Sequence, residues 1–385
     1  MNDEIIKSDC AFYVFDIDVL LKRISYLKSK LPENVELCYA VKANTFIIKE
    51  LTDSVERFEV CSPGEAKICT KLGVEDGKTV ISGVYKTPRV IEKMVENHSE
   101  RIFTAESLIQ FELLKELSDK YNKKLKVLLR LTNDSQFGMN KADIENIVSR
   151  RNEYKNIDIR GVQFFSGTQK TSLKRLGREI EKLDAFVSKL KSEYGFESKE
   201  LEYGAGLPVA YFKDEEFNEA EFLNGFAKLL SSMENKLPIV LELGRSIAAS
   251  CGSYFTHIVD IKQNRGQNYI LIDGGMHHLV YFGQHMAMKE PIFSLCGKEN
   301  EPVKAEWNIC GSLCSMNDIV VKQAPLPEVS IGDVLCFKNT GAYCMTEGIS
   351  LFLSREIPAV YLKKGGKNLL VRSSFETAVL NTPNY

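Results

Sequence analysis

The sequence predicts an α/β protein: a (β/α)8 TIM-like barrel followed by a C-terminal antiparallel β-domain. Two observations predict it. Eight short apolar runs rich in Val, Ile, Leu and Phe recur over about 220 residues, each followed by a longer helical pattern. After about residue 250 the helical periodicity fades, and short strand-like pieces separated by Gly turns take over.

The eight barrel strands are expected near 36–41, 57–61, 79–82, 101–104, 125–131, 159–165, 200–203 and 239–242. Between them, Leu176, Ile180, Leu183, Val187 and Leu190 fall at steps of four, three, four and three, which is one face of a helix. Leu108, Phe111, Leu114 and Leu117 make a similar stripe. A doubly wound open sheet is the alternative, because strand order alone does not show closure. The later strands are expected at 254–262, 268–273, 307–310, 334–338, 359–362 and 368–372. Cys10–Asp16 is also strand-like and is expected to join them. The domains are therefore drawn as 1–25 (opening strand and helix), 26–250 (barrel) and 251–385 (β-domain).

Composition excludes several classes. Lys and Arg number 50 against 52 Asp and Glu, so the chain lacks the cationic surplus that nucleic acid requires. It has no run of 18 apolar residues to span a membrane. The opening Met1–Glu4 is acidic, without the apolar core of a secretory signal, so a cytoplasmic location is expected. Ten Cys lie mostly in apolar contexts, such as Cys38 in Glu36–Val41, and read as reduced thiols. No Cys or His spacing suggests a metal site. His277 and His278 are adjacent and would face opposite ways on a strand.

In a barrel, chemistry collects where strands end. The first strand ends in Tyr39-Ala-Val-Lys-Ala-Asn44, placing a Lys at the end of an apolar run. Lys42 is either a snorkelling surface residue or an amine suited to bonding a carbonyl. The seventh strand ends in Gly204-Ala-Gly206, the eighth in Glu242-Leu-Gly-Arg245, and the sixth in Ser166-Gly-Thr168. Small residues here let backbone N–H groups approach a phosphate, although Gly is also common in turns. A Lys, a phosphate cradle and a carboxylate together point to pyridoxal 5'-phosphate: an amine for its aldehyde, backbone for its phosphate, and an acid for its ring nitrogen.

At this point the chain resembles the fold type III pyridoxal-phosphate decarboxylases, the ornithine/arginine and diaminopimelate decarboxylase family. The likeness runs in order through Ala11–Asp16, Tyr39–Asn44, Phe58–Ser62 with Gly64-Glu65, Gly204–Gly206, Glu242–Arg245, Cys310–Asp318 and Gly341–Tyr343. It implies that Lys42 bonds the cofactor and that Glu242 keeps its ring nitrogen protonated. It also implies that Thr168, Gly204, Gly206, Gly244, Arg245 and Tyr343 hold the phosphate, while Glu59 and Arg130 lie around the ring. Cys314 would be the acid that protonates the carbon after carbon dioxide leaves, with Ser315 and Asp318 near the substrate. The family is typically a homodimer with shared sites.

Two departures bear on substrate. Phe165 stands where the family has a His stacked on the ring, and it cannot donate a proton. Ser315 stands where an acidic residue follows the Cys, so the usual partner of a distal ammonium is missing. With Asp273–His278 and Phe282-Gly-Gln284, these features resemble a secondary-metabolism branch that includes siderophore-pathway and carrier-linked aminoacyl decarboxylases. The expected substrate is an amino acid or amino-acid conjugate other than a simple diamino acid. Lys86, Lys289 and Arg355 are candidate cations for its distal group. The alternatives are an ornithine- or diaminopimelate-type decarboxylase proper, a barrel racemase, against which Glu242 argues, and a non-catalytic cofactor-binding protein.

Overall fold

The computed structural model describes residues 8–384, so the acidic opening Met1–Glu4 lies outside it. The chain packs as two compact units. One holds residues 24–208 and 218–247; the other holds those up to 23, 209–217 and 248 onward. The described chain opens with β1 (Phe12–Asp16) and α1 (Ile17–Lys30).

The first unit is built on β2 (Val35–Ala40), α2 (Ile48–Leu51), β3 (Arg57–Val60), α3 (Pro63–Lys71), β4 (Thr79–Ile81), α4 (Pro88–Asn97), β5 (Ile102–Ala105) and α5 (Leu108–Tyr121). It continues with β6 (Leu125–Leu131), α6 (Lys141–Ser149), β7 (Ile157–Phe165), α7 (Leu173–Tyr194), β8 (Glu200–Gly204), α8 (Glu219–Ser231) and β9 (Ile239–Leu243). Each strand runs parallel to the next, and β9 returns to β2 from Val35↔Ile239 to Tyr39↔Leu243. The sheet is therefore a closed barrel, and the open-sheet alternative falls. Strands covered on both faces need near-continuous apolar runs, which is why they are legible in the sequence. Cys38, Val80, Ile102, Leu128 and Val240 pack together as one core cluster. Side-chain oxygens of Ser62, Ser107, Asn140, Ser172 and Asn218 cap α3, α5, α6, α7 and α8, each accepting the N–H three residues on. These caps end each strand-to-helix loop at a fixed point and so fix the loops that carry the site.

The short α9 (Arg245–Ala248) leads on to the second unit's strands: β10 (Gly252–Asn264), β11 (Gln267–Ile272), β12 (Phe293–Leu295), β13 (Ala305–Cys310), β14 (Ile319–Leu326), β15 (Val334–Lys338), β16 (Ala359–Lys364) and β17 (Lys367–Arg372). The order is β14-β13-β11-β10-β1-β16-β17, with β15 on β10 and β12 on β15. Most pairings are antiparallel, as expected, but β1–β16 and β11–β13 are parallel. Phe12, Val14, Phe255, Val334, Cys336 and Ala359 form this unit's cluster, with Phe12 stacked on Phe255 at 4.9 Å. Tyr211 and Phe212, from the segment after β8, pack on Tyr281 here. Among the described residues no helix is long and apolar enough to cross a membrane.

Candidate active site

Lys42 sits on the helical turn that follows β2, with its side chain 43% exposed at the mouth of the barrel. Its Nζ lies 2.5 Å from Glu59 Oε2 and donates to Cys61 Sγ at 3.4 Å. Glu59 is buried on β3. Burial pushes its carboxyl up, but the charge and hydrogen bond of Lys42 outweigh this and hold it below the usual range. Arg130, on β6, pairs with Glu106 at 2.9 Å and lies over the Phe137 ring at 4.8 Å. Its Nε has no hydrogen-bond partner among the described residues. The structure thus brings Lys42 and Glu59 into contact and places Arg130 on the same rim.

Glu242, on β9, is half-buried. Gln163 Nε2, from β7, donates to its Oε1 at 2.5 Å. The same nitrogen lies 3.4 Å from Ser82 Oγ and 3.5 Å from Glu202 Oε1 on β8, so these side chains meet inside the barrel. Burial raises the Glu242 carboxyl. Burial, then the Glu242 charge, drives Glu202 well above the ordinary carboxylate range. Of the two, the deeper Glu202 is pushed up harder.

The small residues after β7 and β8 approach closely. Gly206 has φ +63°, and a Cβ there would stand 2.1 Å from the Gly167 carbonyl oxygen. Lys170 N–H donates to Gly206 O at 3.0 Å, closing one loop against the other. Thr168 lies within this stitched segment. A Cβ on Gly204 would meet Phe165 Cδ2 at 2.6 Å and Glu242 Oε2 at 3.3 Å, so Phe165 and Glu242 converge over that glycine. Gly244 and the buried Arg245 follow β9 directly. Loops that approach this closely at Gly204 and Gly206, at the end of the barrel strand next to the one that carries Glu242, suit the phosphate and ring of pyridoxal phosphate.

Cys314, Ser315, Asp318 and Tyr343 belong to the second unit. Cys314 is exposed. Ser315 Oγ accepts the Asn317 N–H at 3.2 Å, and its carbonyl accepts the Asp318 N–H. Asp318, expected near the substrate, is turned inward. It is 2% exposed, and its two oxygens accept Met276 N–H at 2.7 Å and Leu313 N–H at 2.9 Å. Gly275 and Gly311 press on it so closely that a Cβ on either would clash. Asp318 shapes the cysteine loop rather than offering a free carboxylate. Tyr343 holds φ +66°, a strained setting for a side-chain-bearing residue, and its carbonyl accepts Thr346 and Glu347 N–H.

The three candidate cations all have partners. Lys86 is buried, and its Nζ donates to Gly83 O, Thr104 Oγ1 and Gln110 Oε1; burial lowers its pKa to about 8. Lys289 pairs with Glu215, and Arg355 donates to Ser312 O at 2.9 Å, behind the cysteine loop. His277 and His278 lie in a turn with rings 3.8 Å apart rather than facing opposite ways, and burial lowers them to about 3 and about 4. Sequence reasoning missed Cys61, Gln163 and Glu202. Gln163 and Glu202 carried a usable signal, since a polar side chain inside an otherwise apolar barrel strand needs a partner.

Residues 17–249 match the family profile described as pyridoxal-dependent decarboxylase, pyridoxal binding domain. The chain belongs to this family. It is a carboxy-lyase that uses pyridoxal phosphate on amino-acid-type substrates. One relative is the 2-[(L-alanin-3-ylcarbamoyl)methyl]-2-hydroxybutanedioate decarboxylase of Staphylococcus aureus, 27% identical over 91% of this chain and 93% of its own. Another is the L-glutamyl-[BtrI acyl-carrier protein] decarboxylase of Niallia circulans, 24% identical over 94% and 90%. The crystal structure of diaminopimelate decarboxylase from Helicobacter pylori complexed with L-lysine shares the fold of the decarboxylase, with a TM-score of 0.84, 20% identity and coverage of 98% and 97%.

Proposed function

We propose that this decarboxylase acts on an amino acid whose distal group is carboxylated, bulky or carrier-linked, rather than on a simple diamino acid. The observation that carries this is the absence of a free acid on the cysteine loop: residue 315 is a neutral Ser, and Asp318 is spent on two backbone N–H groups. An ammonium brought there would lose water without gaining a charge partner, a cost of several kcal/mol. The names of the Staphylococcus and Niallia relatives support the reading, since both describe conjugated amino acids.

Lys42 is the amine that would bond the cofactor's aldehyde. Thr168, Gly204, Gly206, Gly244 and Arg245 would hold the phosphate, joined by Tyr343, and Phe165 would flank the ring. Pyridoxal phosphate, when bound, supplies an aldehyde for the substrate amine and a ring that accepts the electrons left by the departing carboxylate. Glu242 would hold a proton at the ring nitrogen, which strengthens that acceptance. Glu59 keeps Lys42 anchored, and Arg130 borders the same mouth. Cys314 Sγ would deliver a proton to the carbon that lost the carboxylate. Because the cysteine is exposed on a separate unit, we propose a homodimer in which it serves the barrel of a second copy.

The test is carbon dioxide release from ornithine, lysine and meso-diaminopimelate against carboxylated and carrier-linked aminoacyl conjugates. The conjugates should give the higher kcat/KM, and Ser315→Glu should move the preference toward the diamino acids. Efficient turnover of any simple diamino acid by the unaltered enzyme overturns the substrate reading.

A further inference from the structure

Beneath Glu242 lies a second acid that no part of the proposed chemistry uses. Glu202 has no exposed side-chain surface, and Gln163, between it and Glu242, is 1% exposed. One amide nitrogen faces both carboxyls, at 2.5 Å from Glu242 and 3.5 Å from Glu202. Two negative charges this close, one of them fully buried, repel strongly. The nearest cation relieves them only in part. Arg57 reaches Glu202 Oε2 only at 3.4 Å, while its Nη1 and Nη2 grip Glu200 at 3.1 and 2.6 Å. The remaining charges near Glu242 belong to Glu59 and Lys42, which are paired with each other. Glu202 thus sits deep and shares its one close cation with Glu200, while Glu242 opens toward the mouth.

We infer that Glu202 is a positioning residue: as a neutral carboxylic acid it backs Glu242 and keeps the negative charge of the pair on the oxygen nearer the cofactor. This rests on the reading that Glu242 holds the ring nitrogen. A shared proton on the lower acid does two things. It removes the repulsion that would otherwise drive a proton onto Glu242 and extinguish its charge. It also leaves the Gln163 N–H groups to hold Glu242 in one orientation. Any effect of Glu202 must pass through Glu242, because it touches nothing at the mouth.

The inference separates two variants that a purely structural role would not. Glu202→Gln keeps the shape and a permanent neutral donor. Glu202→Leu removes the donor; should it fail to fold, Glu202→Asp withdraws the carboxyl by one methylene. Each is loaded with ring-15N-labelled pyridoxal phosphate, and the ring-nitrogen shift is recorded beside kcat and KM. Glu202→Gln should keep the protonated-nitrogen shift and a kcat within about threefold of the parent. Glu202→Leu, or Asp in its place, should move the shift toward the unprotonated value and lower kcat about tenfold or more, with KM little changed. An unmoved shift in the Leu or Asp variant overturns the inference, as does a Gln variant as impaired as that one, which would mean Glu202 acts as an anion. Glu242→Gln is the control: if it leaves the shift unmoved, the reading of Glu242 itself fails, independently of Glu202.

Discussion

At the scale of single residues, the site is a set of ionisable groups whose states are fixed by their neighbours. Lys42 holds Glu59 charged, whereas Lys86, a short way along the rim, gains only neutral hydrogen-bond acceptors for its ammonium. Burial therefore lowers Lys86 to about 8 from its ordinary 10.5. The sign of the consequence is definite. Below pH 8 both folded and unfolded chains carry that proton, and the folded state bears the cost of a buried charge. Between pH 8 and 10.5 only the unfolded chain binds it, so the contribution of Lys86 to stability rises with pH across that window. Unfolding free energies of the parent and Lys86→Met, measured from pH 7 to 10.5, should show the parent gaining on the variant by up to about 3 kcal/mol. A flat difference would show that the amine keeps its ordinary proton affinity. Lys42 was legible as a residue because a Lys ending an apolar strand is unusual. Glu202 showed only as a polar residue in an apolar strand, because nothing in its local sequence says that Gln163 and Glu242 stand beside it.

At the scale of elements, the barrel strands were legible to within about two residues, since parallel strands buried on both faces leave continuous apolar runs. The strands that went unforeseen lack that signature. β12 is three residues long, and β14 is a sheet edge carrying Pro325 and a positive φ at Gln323. The parallel partners β1 and β16 lie at opposite ends of the chain, a pairing no local pattern reveals. The loops after β7 and β8 are the elements whose function depends most on missing side chains. Gly206→Ala would place a methyl 2.1 Å from the Gly167 oxygen, at a φ of +63° that Ala resists. The loops must then part, and the cradle they line opens. Cofactor affinity, read by titrating apoenzyme and following absorbance, should fall at least tenfold, equivalent to about 1.4 kcal/mol. Gly73→Ala is the matched control, since it too has a positive φ (+77°) but no neighbour within 4 Å. It should cost stability without changing cofactor affinity. Equal affinity in both variants would remove the loop pair from the phosphate site.

At the scale of the whole molecule, the chain divides its chemistry between two units. The barrel carries Lys42, Glu242 and the glycine loops, while Cys314 stands exposed on the β-unit, in a loop fixed from behind by Asp318 and Arg355. How much of this the sequence could show depended on distance along the chain. The motifs were readable one by one, but the inward turn of Asp318 depends on Met276, forty-two residues away, which no local pattern reveals. An acid at the tip of an exposed loop, built this rigidly, is suited to serve a surface other than its own. The shared-site reading follows, and mixing variants tests it. Chains of Cys314→Ala and of Lys42→Ala should each be inactive as homodimers, and borohydride should trap no cofactor on residue 42 of the second. In an exchanged mixture, half the dimers are mixed. Each mixed dimer then holds one site with both Lys42 and Cys314 and one with neither, so activity should return to about a quarter of the parent's. If instead each site draws both residues from one chain, every site in the mixture lacks one of them and no activity returns. Subunit exchange, followed by a tag on one variant, must be shown in the same sample; exchange without recovery would assign Cys314 to the barrel of its own chain.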